Sequence, residues 1–111
     1  MSNISVKFEI KSSNSNYIYS GIASLNRDII SFKDKDDEYY IDLNIKRITK
    51  ISKKNYMMLD LDNSFIEFKV DGLTSKLDID IINYVKNDVF LKIKYKLEEE
   101  INILLEWSSY E

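Results

Sequence analysis

The sequence predicts an all-β protein: one domain over residues 1–111, folded as a single closed, antiparallel up-and-down barrel of about eight to ten short strands. Three observations predict it. Apolar residues fall on every second position along most of the chain, the pleat of strands with one face on a core and one in water. The breaks between these runs are short and turn-like, so neighbouring strands pair as a meander. A sheet of that many strands must close or split, because open edges invite association.

Ile4, Val6, Phe8 and Ile10 alternate with Ser5, Lys7, Glu9 and Lys11, a clean first strand ended by the turn Ser12-Ser13-Asn14-Ser15-Asn16. Tyr17 to Leu25 is apolar on both faces and holds Gly21, the mark of a bulge or a bend at a barrel corner. Asn26-Arg27-Asp28 turns the chain into Ile29 to Phe32, and Lys33 to Glu38 reads as a charged loop. Tyr39, Ile41, Leu43 and Ile45 share one face of the next strand, and Arg47 to Ser52 follows as a weaker one. Tyr56 to Leu61 and Phe65 to Val70 flank Asp62-Asn63-Ser64.

Asp71-Gly72 is a hairpin signal, because a type I′ turn needs two residues that tolerate positive φ. It sets Val70 opposite Leu73, Phe68 opposite Ser75, Ile66 opposite Leu77 and Glu67 opposite Lys76. A three-residue loop at Asn87-Asp88-Val89 sets Val85 opposite Leu91, Ile81 opposite Tyr95, Ile79 opposite Leu97 and Asp80 opposite Lys96. A last turn at Glu98-Glu99-Glu100 sets Leu97 opposite Ile101, Tyr95 opposite Ile103, Ile93 opposite Leu105, Leu91 opposite Trp107 and Lys92 opposite Glu106. Three glutamates are better helix formers than turn formers, so a helix over Leu97–Trp107 competes, with Leu97, Ile101, Leu104, Leu105 and Ser108 on one stripe.

Composition narrows the function classes. With 44% hydrophobic and 32% charged residues the chain is an ordinary globular domain. It has no cysteine, hence no disulfide, no thiolate nucleophile and no Cys-type zinc site. It has no histidine, the commonest general base and transition-metal ligand. A net charge of −3 argues against nucleic acid as the main partner. Met1-Ser2-Asn3 leads straight into an alternating run, with neither a signal-peptide pattern nor a membrane-spanning stretch, so a cytoplasmic protein away from membranes is expected. The excess of Ile, Lys, Asn, Asp and Tyr, the single Ala and the two Arg fit AT-rich coding, which discounts lysine counting.

Strand patterns in order carry a family resemblance: Val6-Lys7-Phe8-Glu9-Ile10-Lys11, Tyr19-Ser20-Gly21-Ile22-Ala23, Ile29-Ile30-Ser31-Phe32-Lys33-Asp34, Ile48-Thr49-Lys50-Ile51, Thr74-Ser75-Lys76-Leu77-Asp78-Ile79-Asp80-Ile81 and Leu91-Lys92-Ile93-Lys94-Tyr95-Lys96-Leu97. Over nearly its whole length the chain resembles a bacterial calycin-like (lipocalin-fold) family of unknown function, typified by YwiB-type proteins. The family's Thr-Pro-Tyr-Gly-like turn is replaced here by Leu73-Thr74-Ser75-Lys76. The resemblance implies a closed barrel and a cytoplasmic bacterial protein, with no established activity and no catalytic residues.

Three groups are candidates for chemistry. Asp34, Asp36, Asp37 and Glu38 read as a solvated loop, and Asp60, Asp62 and Asn63 lack the glycine and distal glutamate of a calcium loop, so no metal is assigned. Lys46, Arg47, Lys50, Lys53 and Lys54, beside Tyr56, form one basic patch suited to an anion or to a protein or nucleic-acid partner. Among eight tyrosines and one tryptophan, Tyr17, Tyr19, Tyr39, Tyr95 and Trp107 fall on faces turned inward, where they either fill the barrel or line a pocket for a small apolar or amphipathic ligand. No nucleophile–base set and no phosphate loop is present, so a non-enzymatic binding protein without a cofactor is expected, and a surface interaction module is the alternative.

Overall fold

The computed structural model describes residues 2–109. Among them there is no helix, and eleven strands form one antiparallel sheet: β1 (Ser2–Lys11), β2 (Asn16–Asn26), β3 (Ile29–Asp34), β4 (Asp37–Asp42), β5 (Arg47–Ser52), β6 (Asn55–Asp60), β7 (Phe65–Val70), β8 (Leu73–Asp78), β9 (Asp80–Lys86), β10 (Phe90–Leu97) and β11 (Glu99–Ser109). The order is β8-β7-β6-β5-β4-β3-β2-β1-β11-β10-β9. The strands at the two ends of this order, β8 and β9, are consecutive in the chain and joined through Ile79 alone, the connectivity of an up-and-down barrel. The expected class is observed, with eleven strands rather than eight to ten. Phe90–Ser109 is two strands, as the hairpin reading expected, and holds no helix.

The strands group into two compact units, one of Ala23–Asp78 and one of Asn3–Ile22 with the chain from Ile79 onward. In the first, register stacks the apolar faces into a row: Ile30 opposite Ile41, Ile41 opposite Ile48, Ile48 opposite Leu59, and Leu59 opposite Ile66, all buried. In the second, Val6, Phe8, Leu91, Ile93, Tyr95, Ile103 and Leu105 are buried, with Phe8 opposite Leu105 and Ile93 opposite Ile103. Each buried side chain of this size contributes about 1.5–3 kcal/mol.

The β7–β8 hairpin has the expected register at every pair, and Asp71 and Gly72 have φ of 50° and 81°. A Cβ at Gly72 would meet nothing within 4 Å. Gly72→Val is therefore expected to cost about 1–2 kcal/mol purely as left-handed backbone strain, read as a lower denaturant midpoint with unchanged m-value.

Two registers differ from expectation. β10 and β11 pair with Leu91 opposite Leu105, Ile93 opposite Ile103 and Tyr95 opposite Ile101, two residues away from the expected alignment. The turn contracts onto Glu98, whose φ is 67°, and Trp107 pairs with Val6 of β1 instead. In β9–β10, Tyr95 faces Ile81 and Lys96 faces Asp80 as expected, but a bulge at Ile82 moves Val85 from Leu91 to Lys92. The loop there is tightened by Asn87, whose Oδ1 accepts from the N–H groups of Val89 and Phe90 at 2.8 and 2.9 Å.

The expected charged loop at Lys33–Glu38 is also corrected. β3 and β4 run through it, Lys33 facing Glu38, and only Lys35-Asp36 turns. Conversely, β4 stops at Asp42, so Leu43 and Ile45 leave the strand face assigned to them. Asp42 Oδ1 accepts from the N–H groups of Asn44 and Ile45 at 3.0 and 3.1 Å, which curls the chain into a turn. At Gly21 a Cβ would lie 2.7 Å from the Tyr19 hydroxyl, so that ring, which packs along the backbone there, would have to swing aside.

Candidate functional site

Period-two alternation places a polar group on the core side of the Ala23–Asp78 unit. Asp37, Tyr39 and Ile41 share one face of β4, and Ile48, Lys50 and Ser52 share the matching face of β5. Next to the sealed isoleucine row runs a second row, in which Phe32 faces Tyr39, Tyr39 faces Lys50, Lys50 faces Met57, and Met57 faces Phe68. The Tyr39 ring is buried and stacks on Phe32 at 5.0 Å and 18°. Lys50 Nζ stands 6.0 Å from the Tyr39 centroid and 3.7 Å from Asp37 Oδ2. Ser52 Oγ donates to Asp37 Oδ1 at 2.7 Å.

An ammonium on a core-facing row, between Ile48 and Ser52, is the informative exception, because charged groups seldom face a core. Half-exposed, its pairing with Asp37 is worth at most about 1 kcal/mol, so it is not there for stability. A hollow of about 220 Å³ opens beside it, lined by Lys50, Ser52, Asn55, Tyr56, Met57, Phe68 and Val70. It offers an apolar floor with an ammonium and a hydroxyl at its rim, both of them paired with Asp37.

Sequence reasoning placed Tyr39 and Lys50 in separate candidate groups, and the structure brings these two together. Ser52, Met57 and Phe68 were missed as site residues, and Asp37 was weighed only as part of a solvated acidic loop, although alternation with Tyr39, Ile48 and Ile66 marks them as core-facing. Tyr17, Tyr19, Tyr95 and Trp107 belong to the other unit. Tyr17 meets Phe8 edge-on at 6.3 Å. Tyr19 donates its hydroxyl to the Ile22 carbonyl at 3.0 Å. Tyr95 is buried, and burial pushes its hydroxyl up to about 12, so it stays protonated. Trp107 is half-buried, its backbone N–H donates to the Val89 carbonyl at 2.9 Å, and with Lys7, Phe90 and Glu106 it borders a groove of about 460 Å³.

The basic patch is largely matched by acids. Lys46 lies 3.6 Å from Asp62, Arg47 lies 3.1 Å from Asp60, and Lys50 faces Asp37, while Lys53 and Lys54 form the exposed β5–β6 turn. Asp60 is buried, 1% exposed. Its Oδ1 accepts from the N–H groups of Asp62 and Asn63 at 3.1 and 2.9 Å, and its Oδ2 accepts from Asn63 Nδ2 at 3.2 Å and Arg47 Nε at 3.1 Å. The Asp60, Asp62 and Asn63 stretch is thus a self-capped turn. Tyr56, beside the patch, donates to Glu67 at 3.1 Å, and burial together with this bond raises its pKa. No group of three or more acids among the described residues is placed to hold a metal ion.

A scan against protein-family models and searches of curated proteins and of solved structures return no match to this chain, so the site is read from its own geometry.

Proposed function

We propose that this chain is a non-enzymatic binding protein that takes a small amphipathic ligand on the core side of β4–β7. The calycin-like relationship expected from the sequence belongs to the same reading. The observation that carries it is Lys50, ion-paired on a core-facing row beside the hollow floored by Met57, Phe68 and Val70. At about 220 Å³ the hollow is below the usual range for drug-sized ligands, about 300–1,000 Å³. It suits a short apolar segment with one anionic head, the head competing with Asp37 for the Lys50 ammonium.

Octanoate is a direct probe. In an amide NMR titration, shifts are expected to cluster on Lys50, Ser52, Met57 and Phe68, with Lys50→Met weakening binding by about tenfold, about 1.4 kcal/mol. Saturation without perturbation of these four residues, or wild-type affinity in both Lys50→Met and Phe68→Ser, sinks the reading.

A further inference from the structure

We propose that the chain self-associates through β8, which pairs antiparallel with β8 of a second copy about a two-fold axis at Ser75. Among the described residues β8 is bonded to β7 alone and ends the ladder. All six of its residues are exposed, Leu73 at 77% and Leu77 at 46%. Edge strands are normally blunted by proline, by a bulge or by projecting charge. The chain has no proline, the β7–β8 ladder has no register shift, and the ammonium of Lys76 is folded over the Phe65 ring at 4.0 Å. The strand at the opposite end of the order, β9, does carry a bulge.

Backbone geometry and side chains select the partner and the register. The type I′ turn bonds the Leu73 N–H to the Val70 carbonyl, so Leu73, Ser75 and Leu77 spend their backbone groups on β7. Thr74, Lys76 and Asp78 then direct theirs off the free edge. An antiparallel partner must set outward residues against outward residues, which rules out an axis between Ser75 and Lys76. An axis on Lys76 opposes two ammonium groups. An axis on Thr74 runs into the Asp71-Gly72 turn, and an axis on Leu77 keeps only Lys76 to Asp78 of the strand in the pairing. An axis on Ser75 pairs Thr74 with the partner copy's lysine at position 76 in both directions, with N–H and C=O exchanged. The same axis sets Leu73 against the other copy's leucine at position 77 twice over, on one face. This match of a strand to itself is what an isologous two-fold contact requires. A contact of one six-residue strand per copy falls short of the about 1,200 Å² of a stable complex, so the dimer is concentration-dependent.

Sedimentation velocity up to about 1 mM protein tests this. The wild type is expected to shift from monomer toward dimer as concentration rises. Thr74→Pro, which removes an outward N–H and no β7 bond, is expected to stay monomeric with an unchanged circular dichroism spectrum. Because the chain has no cysteine, Ser75→Cys adds a single thiol at the axis and is expected to form a disulfide-linked dimer on mild oxidation, while Asp88→Cys, in an exposed loop, does not. A wild type that stays monomeric throughout, a dimer that survives Thr74→Pro, or equal crosslinking of the two cysteine variants overturns the proposal. So does association that appears only when an extended peptide of another protein is added.

Discussion

Asp60→Ala is expected to lower the unfolding free energy by about 2–3 kcal/mol, a large share of the about 5–15 kcal/mol that stabilises a domain. The side chain accepts four hydrogen bonds at once, two from the backbone of the turn it closes, one from Asn63 Nδ2 and one from Arg47 across the β5–β6 ladder. Asp60→Asn keeps the size and one acceptor, and is expected to cost less. Burial alone raises the Asp60 pKa. The Asn63 N–H, its side-chain amide and the Arg47 guanidinium outweigh that and hold the carboxyl below its usual 3.8. The unfolded chain thus takes up the proton more readily than the folded one. The stability from Asp60 is present above the unfolded-state value and fades as pH falls through the lower folded-state value. Guanidinium midpoints measured from neutral pH down to about pH 3 are expected to show the gap between wild type and Asp60→Asn narrowing on acidification. A gap that is constant with pH counts against the role given to the charge.

Phe8→Ala is expected to have a larger effect, about 3–5 kcal/mol, because it combines lost burial with a cavity that β-sheet neighbours cannot collapse. Phe8 has no exposed surface, faces an equally enclosed Leu105 and meets the Tyr17 ring edge-on. The next residue along β1 is the control: Lys7 is on the other face and exposed, and Lys7→Ala is expected within about 0.5 kcal/mol of wild type. Urea unfolding of the two variants side by side checks both values. Similar losses in the two would mean that β1 does not present Phe8 to the core.

What could be read in advance follows from how much information each turn carries. Asp71-Gly72 names its own turn type, so the β7–β8 register followed to the last pair. Glu98-Glu99-Glu100 names none, and the β10–β11 slip of two residues leaves every side chain on the face it already had. Alternation detects a slip of one and is blind to a slip of two. The Ile82 bulge escaped for a related reason, since shifting Val85 from Leu91 to Lys92 changes a pairing without breaking the run of apolar residues. At the candidate site, period two was sufficient to put Asp37 beside Tyr39 and Ser52 beside Lys50. Grouping residues by charge and by ring, instead of by strand face, separated them. Asp60 was passed over because its neighbours were compared with a cation loop. The signal was an Asp whose own turn supplies N–H donors two and three residues on, the same arrangement as at Asp42.

The pairing of Val6 with Trp107 has a consequence for how the chain reaches its native state. From β3 to β8 every strand is bonded to its immediate neighbour in sequence, so hairpins there can zip one after another at little loop-closure cost. β11 instead must find β1 across nearly the whole chain. That contact raises the mean sequence separation of native pairs and places its entropy cost late, when little else is left to form. On a ribosome, β1 waits for its β11 partner until almost everything described here has been synthesised. During that wait the apolar face of β1, with Phe8 at its centre, lacks the strand that completes its hydrogen bonding.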